Sequence, residues 1–177
     1  ISESGYHYCE IGPYGFLPQD LDKSQDYLNE LNLEVVGGFI FDHLNKSKDH
    51  SRIKSKIIST CAFLNKLNAK VFVIIDHISE KRMQTSGNRE LSEELSHDQY
   101  KMMVSFISEI SKIAKEEYNL IPVLHPHAGT YIEFDHEIDR ASRQAKTVLA
   151  ARTAPERIRT SHPESYVHQS PGVTRRS

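Results

Sequence analysis

Several features are scarce in this chain, and each scarcity excludes a class of protein. The 177 residues include only two cysteines, Cys9 and Cys61, and no tryptophan. Two cysteines are too few for a disulfide framework or a zinc ribbon, so we expect reduced thiols. No apolar run reaches the ~18 residues that a transmembrane helix needs. The N-terminus also lacks the basic and apolar regions of a signal peptide. Together these features predict a cytoplasmic protein.

Charge is unevenly distributed along the chain. Residues 1–139 contain 11 Lys and 3 Arg against 22 acidic residues, whereas residues 140–177 contain 1 Lys and 7 Arg against 2 acidic residues. Aliphatic residues also become scarce after residue 140. Because one domain rarely changes its preferred basic residue at a single point, we predict two parts. Residues 1–140 form a folded domain, and residues 141–177 form an Arg-rich tail too poor in apolar residues to fold.

Short apolar segments that alternate with amphipathic ones predict an α/β fold with about four parallel strands and intervening helices. The clearest segment has five apolar residues, Val71 to Ile75, followed by Asp76. A capping box at Ser96 and Gln99 predicts the start of a helix. The order β-α-β-α-β-α-β favours right-handed crossovers. The predicted strands are residues 6–11, 34–41, 71–76 and 120–125, and the predicted helices are residues 20–31, 49–68 and 96–118.

Such a sheet occurs in two architectures, an open doubly wound sheet or part of a (β/α)8 barrel. An open nucleotide-binding sheet normally has a Gly-rich turn after its first strand, and residues 12–15 match that turn poorly. A complete barrel needs about 250 residues, so four strands are half of one. Gly37 and Gly38 stand in a strand interior, where they predict a bulge or a close backbone approach.

Carboxylate or imidazole side chains stand where three of the predicted strands end. Glu10 ends the first strand, Asp76 and His77 end the third, and His125 and His127 follow the fourth. Parallel sheets carry their chemistry at the carboxyl ends of the strands. Imidazole and carboxylate groups close together suit a divalent metal or a polyhydroxylated substrate. The structural alternatives are a solvated carboxylate for Glu10 and a capping role for Asp76.

Two further features adjoin these strand ends. Glu133 follows the two histidines and a glycine; it is either part of the same site or a helix-start acid stabilised by the helix dipole. Residues 77–95 form a polar loop of about 20 residues, a length that favours a lid or a binding role.

Four segments, in order, carry a resemblance to a known family. They are residues 8–18, 36–41, 73–77 and 125–133, and the last, His-Pro-His-Ala-Gly-Thr-Tyr-Ile-Glu, is the most specific. They resemble the xylose isomerase-like TIM barrels, a family of sugar phosphate isomerases and epimerases, and within it the inosose dehydratase branch. The similarity covers about residues 5–140. It implies a partial (β/α)8 barrel followed by a C-terminal tail foreign to the family.

The resemblance also implies an activity and a set of site residues. The expected protein is an isomerase, epimerase or lyase that acts on a polyol or keto-sugar with a divalent metal, commonly Mn, Co or Zn. Glu133 would be the metal ligand, and the remaining residues would bind substrate, with the two histidines after the fourth strand able to contact the metal as well. These substrate-binding residues are Glu10, Asp76, His77, His125 and His127.

The family pattern differs from this sequence at both ends. It has a strand before the first one seen here and, after residue 140, a strand ending in Asp-x-Gly-His with further ligands. We therefore expect a truncated and impaired protein in which metal binding is weak or absent. A non-catalytic remnant is the alternative, and an endonuclease IV-like repair protein is disfavoured because residues 1–139 are acidic. The expected partner is a small sugar or inosose, with no specific nucleic acid and no membrane, and open sheet edges could allow self-association.

Overall fold

Strands and helices alternate along the chain in a computed structural model that describes residues 1–145 and the backbone of residues 149–150. Two short 3-10 turns, Ser2–Ser4 and Ser47–Asp49, precede β1 and α2. The elements are β1 (Tyr8–Glu10), α1 (Leu21–Glu30), β2 (Glu34–Asp42), α2 (His50–Lys66), β3 (Val71–Asp76), α3 (Glu80–Gln84), α4 (His97–Tyr118), β4 (Ile121–Leu124), α5 (Asp135–Gln144) and β5 (Leu149–Ala150).

The five strands form one sheet in the order β1-β2-β3-β4-β5. All four neighbouring pairs are parallel. Strand order therefore follows chain order, as it does in a (β/α)8 barrel. The four predicted strands are present, and β5 is a fifth that was not predicted, because two residues show no periodicity. The carboxyl ends of β1 to β4 lie along one edge of the sheet, so the side chains that follow them are brought close together.

The core lies between the sheet and the helices that connect its strands. Along β3, Phe72 and Ile74 are fully buried, whereas Val73 and Ile75, which alternate with them, are half-buried on the opposite face. The apolar stripes of α2 and α4 cover the first face, as their helical spacing predicts. Their fully buried residues are Ile53, Ile57, Cys61, Leu64, Met103, Ile107, Ile110 and Ala114.

Capping groups set the ends of the helices. The Asp20 side chain accepts a hydrogen bond from the Lys23 amide at 3.2 Å, and the capping box that begins at Ser96 is present. Asp49 occupies the predicted N-cap position of α2 but makes no side-chain capping hydrogen bond. An asparagine with positive φ follows α1, α2 and α4, a conformation that asparagine adopts more readily than most residues. The three are Asn32, Asn68 and Asn119.

The glycine pair in β2 confirms both a bulge and a close approach. The register between β1 and β2 shifts between Cys9 and Glu10, opposite Gly37. A Cβ atom on Gly37 would lie 2.6 Å from the Val71 carbonyl oxygen, and one on Gly38 would lie 2.7 Å from the Ile11 side chain. Glycine is therefore required here for close packing of β2.

Ordered structure continues past the predicted boundary at residue 140. Helix α5 runs through that position to Gln144, with Ala141 and Ala145 fully buried, and β5 pairs with β4. Residues 146–148 and 151–177 lie outside the described residues, so the disordered Arg-rich tail stays a prediction. Within the described part of the chain, no helix is long and apolar enough to cross a membrane.

The position of α5 predicts how truncation affects stability. A chain that ends at Arg140 loses the last turn of α5, the buried Ala141 and Ala145, and the pairing of β5. Its free energy of unfolding should therefore fall by more than about 1 kcal/mol. A chain that ends at Ala150 should keep the wild-type value, because residues 151–177 contain few apolar side chains to bury. Urea denaturation of the two truncated chains and the full chain measures this. Equal stability of the chain ending at Arg140 and the full chain would contradict it.

Candidate functional site

Four histidines from three neighbouring strands lie together at the carboxyl edge of the sheet. His43 follows β2, His77 follows β3, and His125 and His127 follow β4; we call these four the histidine cluster. The His43 and His77 rings have centroids 4.2 Å apart, and the His125 and His127 rings have centroids 5.9 Å apart. Phe41 links the two pairs, stacked on His77 at 4.6 Å and tilted against His127 at 6.1 Å. The fold thus brings three predicted histidines together and adds His43, which was not predicted.

Hydrogen bonds fix the orientation of two rings in the histidine cluster. His77 Nδ1 lies 2.9 Å from the Ile78 carbonyl oxygen, and His127 Nδ1 lies 2.8 Å from the Ala128 carbonyl oxygen. A carbonyl oxygen only accepts, so Nδ1 carries the proton in both contacts. In the neutral ring, Nε2 is then an acceptor available to a ligand. Burial, Lys46 and His77 together lower the pKa of His43, which favours its neutral form.

Asp76 is placed differently from its prediction as a substrate-binding residue. Its side chain is 1% exposed and lies on the helix-covered face of β3, opposite His77. One carboxylate oxygen accepts from the Leu44 amide at 3.1 Å and the other from the Tyr131 amide at 3.2 Å. This geometry argues against contact with a substrate, because the alternation of β3 turns Asp76 away from the site. Asp76 instead joins the loops that follow β2 and β4.

Glu133 is also placed differently from its prediction as a metal ligand. One carboxylate oxygen accepts from the Gly87 amide at 2.6 Å and the Ser86 hydroxyl at 3.1 Å. The other accepts from the Gly129 amide at 2.8 Å and lies 3.7 Å from an Arg82 nitrogen. Backbone and hydroxyl donors thus occupy both oxygens, so the carboxylate is directed at the loop of residues 77–95.

Arg82 is the main residue of this region that sequence reasoning missed. Its side chain is fully buried, and it donates to the Thr130 carbonyl at 2.8 Å, the Glu93 carbonyl at 2.9 Å and the Glu137 carboxylate at 2.9 Å. Its guanidinium also lies 4.9 Å from the centroid of the Phe134 ring. A charged residue in a polar loop normally indicates solvent exposure, so no signal in the sequence indicated this burial.

Glu10 lies at the end of β1 and lines a groove separate from the histidine cluster. The groove has a volume of about 330 Å³ and lies between the N-terminal turn, β1 and α1. Its walls are mainly apolar and include Cys9, Ile11 and Phe16. The structure therefore brings Glu10 to the predicted edge of the sheet without joining it to the other predicted site residues.

Glu133, the predicted metal ligand, and the nearby histidines do not form a metal site in this arrangement. Among residues 1–145, no three His, Cys, Asp or Glu side chains converge in a way that could hold one. Glu133 is engaged with the loop, and the imidazoles of His43 and His77 pack against each other, tilted by 36° with their centroids 4.2 Å apart. A divalent ion normally needs three or four converging protein or water ligands.

Comparison with solved structures identifies the fold. A xylose isomerase-like TIM barrel protein from Mycobacterium smegmatis, in complex with magnesium, matches with a TM-score of 0.63 at 7% identity, over 84% of this chain and 52% of that one. The 3-keto-D-glucoside 4-epimerase from E. coli matches with a TM-score of 0.64 at 15% identity, over 85% of this chain and 59% of that one. The IOLI protein with a binding zinc atom matches with a TM-score of 0.63 at 17% identity, over 83% of this chain and 52% of that one. No model of a protein family and no curated protein matches the sequence.

These similarities confirm the predicted resemblance at the level of the fold. The described residues have the fold of part of a (β/α)8 barrel, and the chain spans about half the length of the solved structures it matches. Two of those structures contain a divalent metal, magnesium or zinc. With identities of 7–17% the likeness extends to the fold alone, so activity has to be argued from the site.

The buried carboxyl of Asp76 predicts a pH dependence of stability. Burial raises its pKa from 3.8 to about 6. Because the folded state holds this proton more tightly than the unfolded state, the contribution of Asp76 to stability is largest below pH 4. That contribution falls as pH rises to about 6, by up to about 3 kcal/mol.

Asp76→Asn removes this titration, so the difference in free energy of unfolding between wild type and variant isolates it. Urea denaturation at intervals between pH 3.5 and pH 7 should show that wild type loses stability relative to the variant as pH rises through this window. A difference that stays constant with pH would show that Asp76 has an ordinary pKa.

Proposed function

We propose that the histidine cluster binds a polyhydroxylated carbonyl compound, such as a keto-sugar or an inosose, as part of an isomerase, epimerase or dehydratase barrel. The observation that carries this proposal is the meeting of four imidazoles from three consecutive strand ends around Phe41. The Nε2 atoms of His77 and His127 can accept hydrogen bonds from two hydroxyls of one ligand. The other predicted positions contribute less directly, since Asp76 supports the loops and Glu10 lines a separate groove.

The chemistry of neutral imidazole suits proton transfer next to a carbonyl group. Burial lowers the pKa of His43, which favours the neutral ring that can take up a proton. Removal of a proton from the carbon beside a carbonyl begins both epimerisation and dehydration. The histidine cluster therefore supports either reaction class, and the substrate would decide between them.

The names of structural neighbours support the substrate class. One acts on a 3-keto-D-glucoside, and another, D-psicose 3-epimerase from Clostridium cellulolyticum, was crystallised with D-tagatose. A third is a probable 3-DHS dehydratase from Bacillus anthracis. Isomerase and lyase chemistry thus both occur on this fold, and two of these three names include a keto-sugar. An endonuclease-like function gains no support, because residues 1–139 are acidic and phosphate binding needs clustered cations.

Ligand binding tests the proposal directly. We expect an inosose or D-psicose to shift the ring resonances of His77 and His127 in NMR spectra of the full chain. His127→Gln should weaken this binding about threefold to tenfold, the effect of losing one hydrogen bond to the ligand. The matched control is His7→Gln, because His7 precedes β1 at the opposite end of the strands, and its affinity should equal that of wild type. Ring resonances that do not move, or equal affinities of His127→Gln and wild type, would contradict the proposal.

Turnover by these 177 residues alone should be slow. The described residues supply five strands, whereas a (β/α)8 barrel converges on its substrate from eight. Loss or misplacement of catalytic groups costs orders of magnitude in rate. When D-psicose is incubated with the protein in D2O, little deuterium should be incorporated at the carbon beside the carbonyl group. Rapid incorporation that His77→Gln abolishes would instead show that this part of the barrel is a working enzyme.

The protein should bind divalent metal ions weakly, because its candidate ligands do not converge. Glu133 is engaged with the loop, and among residues 1–145 no three metal-binding side chains converge. We therefore expect dissociation constants for Mn²⁺ and Zn²⁺ poorer than about 100 μM. Isothermal titration calorimetry of the full chain measures them. Stoichiometric binding at micromolar concentrations would show that the ligands rearrange to accept the ion.

A further inference from the structure

We propose that Glu133 is a positioning residue that fastens the loop of residues 77–95 onto the segment of residues 127–137. This role replaces that of metal ligand, which the sequence suggested for it. The proposal does not depend on the proposed function, because it concerns the order of a loop in the absence of any ligand.

The contacts of the carboxylate connect the two segments. Two of its hydrogen bonds come from the tip of the loop, from the Gly87 amide at 2.6 Å and the Ser86 hydroxyl at 3.1 Å. A third comes from the Gly129 amide at 2.8 Å on its own segment. Ser86 and Gly87 are exposed, whereas the Glu133 side chain is only 9% exposed. The carboxylate therefore holds an exposed turn from a largely buried position.

Arg82, which belongs to the same loop, binds it to the segment of residues 127–137 from a fully buried position. Its guanidinium lies between two carboxylates, 2.9 Å from Glu137 and 3.7 Å from Glu133. Glu137 in turn accepts from the amides of Glu133 and Phe134, at 2.9 Å and 3.0 Å. Removing one member of such a buried set leaves an uncompensated charge, so these groups stabilise one arrangement of the loop.

The two fastened segments begin at residues of the histidine cluster. The loop starts at His77 and the other segment at His127, and the Ser79 amide donates to the Gly129 carbonyl at 2.9 Å between them. A Cβ atom on Gly129 would lie 3.3 Å from both Ile78 and Met83, so the segments are already in close contact there. Fixing the loop therefore also fixes the spacing of two imidazoles at the strand ends.

Loop fastening and metal coordination by Glu133 compete for the same oxygens. A cation could use this carboxylate only after it had displaced the Gly87, Ser86 or Gly129 donors. If Glu133 bound a metal, the ion would therefore disorder the turn at residues 86–87. If Glu133 binds no metal, removal of its side chain should leave the metal affinity of the protein unchanged.

Amide hydrogen exchange of the full chain tests the proposal, with Glu133→Ala as the main variant. We expect exchange at Gly87 to rise at least about tenfold, because loss of the acceptor opens the turn. Cleavage by trypsin after the exposed Arg89 should accelerate in parallel. Exchange of the Ile74 amide in β3 should stay at the wild-type rate, which shows that the sheet is intact. The matched control is Glu90→Ala, which removes an exposed carboxylate from the same loop and should leave Gly87 protected.

A second variant keeps the test valid if Glu133→Ala does not fold. Ser86→Ala removes one donor without touching the buried groups, and we expect a smaller rise in exchange at Gly87, about threefold. Titration with Mn²⁺ alone, followed by electron paramagnetic resonance, should give equal affinities for wild type and Glu133→Ala. Unchanged protection of Gly87 in either variant, or Mn²⁺ binding that Glu133→Ala abolishes, would overturn the proposal.

Discussion

The geometry of the strand ends depends on the hydrogen bonds that the buried Asp76 carboxylate accepts from the two neighbouring loops. This carboxylate lies at the end of β3, the central strand, and accepts one amide from the loop after β2 and one from the loop after β4. Leu44 is next to His43, and Tyr131 belongs to the same loop as His127, so a single buried group ties together the two loops that carry these histidines. Burial raises the pKa of this carboxyl to about 6, which means that the ionised form is held at a cost in desolvation.

The parts of the fold that sequence reasoning predicted well are those in which burial dictates residue type. The apolar run of β3 and the helical stripe of α4 leave few alternatives, because each has one solution that buries its apolar side chains. Gly37 was informative for a related reason, since only glycine allows the Val71 carbonyl to approach. The two-residue strand β5 has no such pattern, and its existence depends on pairing with β4.

Sequence reasoning predicted which strand ends carry the candidate site better than it predicted the directions in which individual side chains point. His43 could have been found, because Asp42 and His43 repeat the Asp-His pair of residues 76–77 and the two aspartates are partners in register. The direction of Glu133 could not, because it depends on the turn at Gly87, more than 40 residues away in sequence. Arg82 was equally inaccessible, since its burial requires acceptors supplied by Thr130 and Glu137. Tertiary contacts, which no local pattern contains, decided both.

The Nδ1–H groups of His77 and His127 are used within the protein, and this gives the outward nitrogen of each ring a single role. Each Nδ1 donates to the carbonyl oxygen of the residue that follows it, so the Nε2 of the neutral ring can only accept. Two such acceptors at one edge of the sheet favour a ligand that carries several hydroxyl donors. A carboxylate or a phosphate, which brings only acceptors, would find no donor on these two rings.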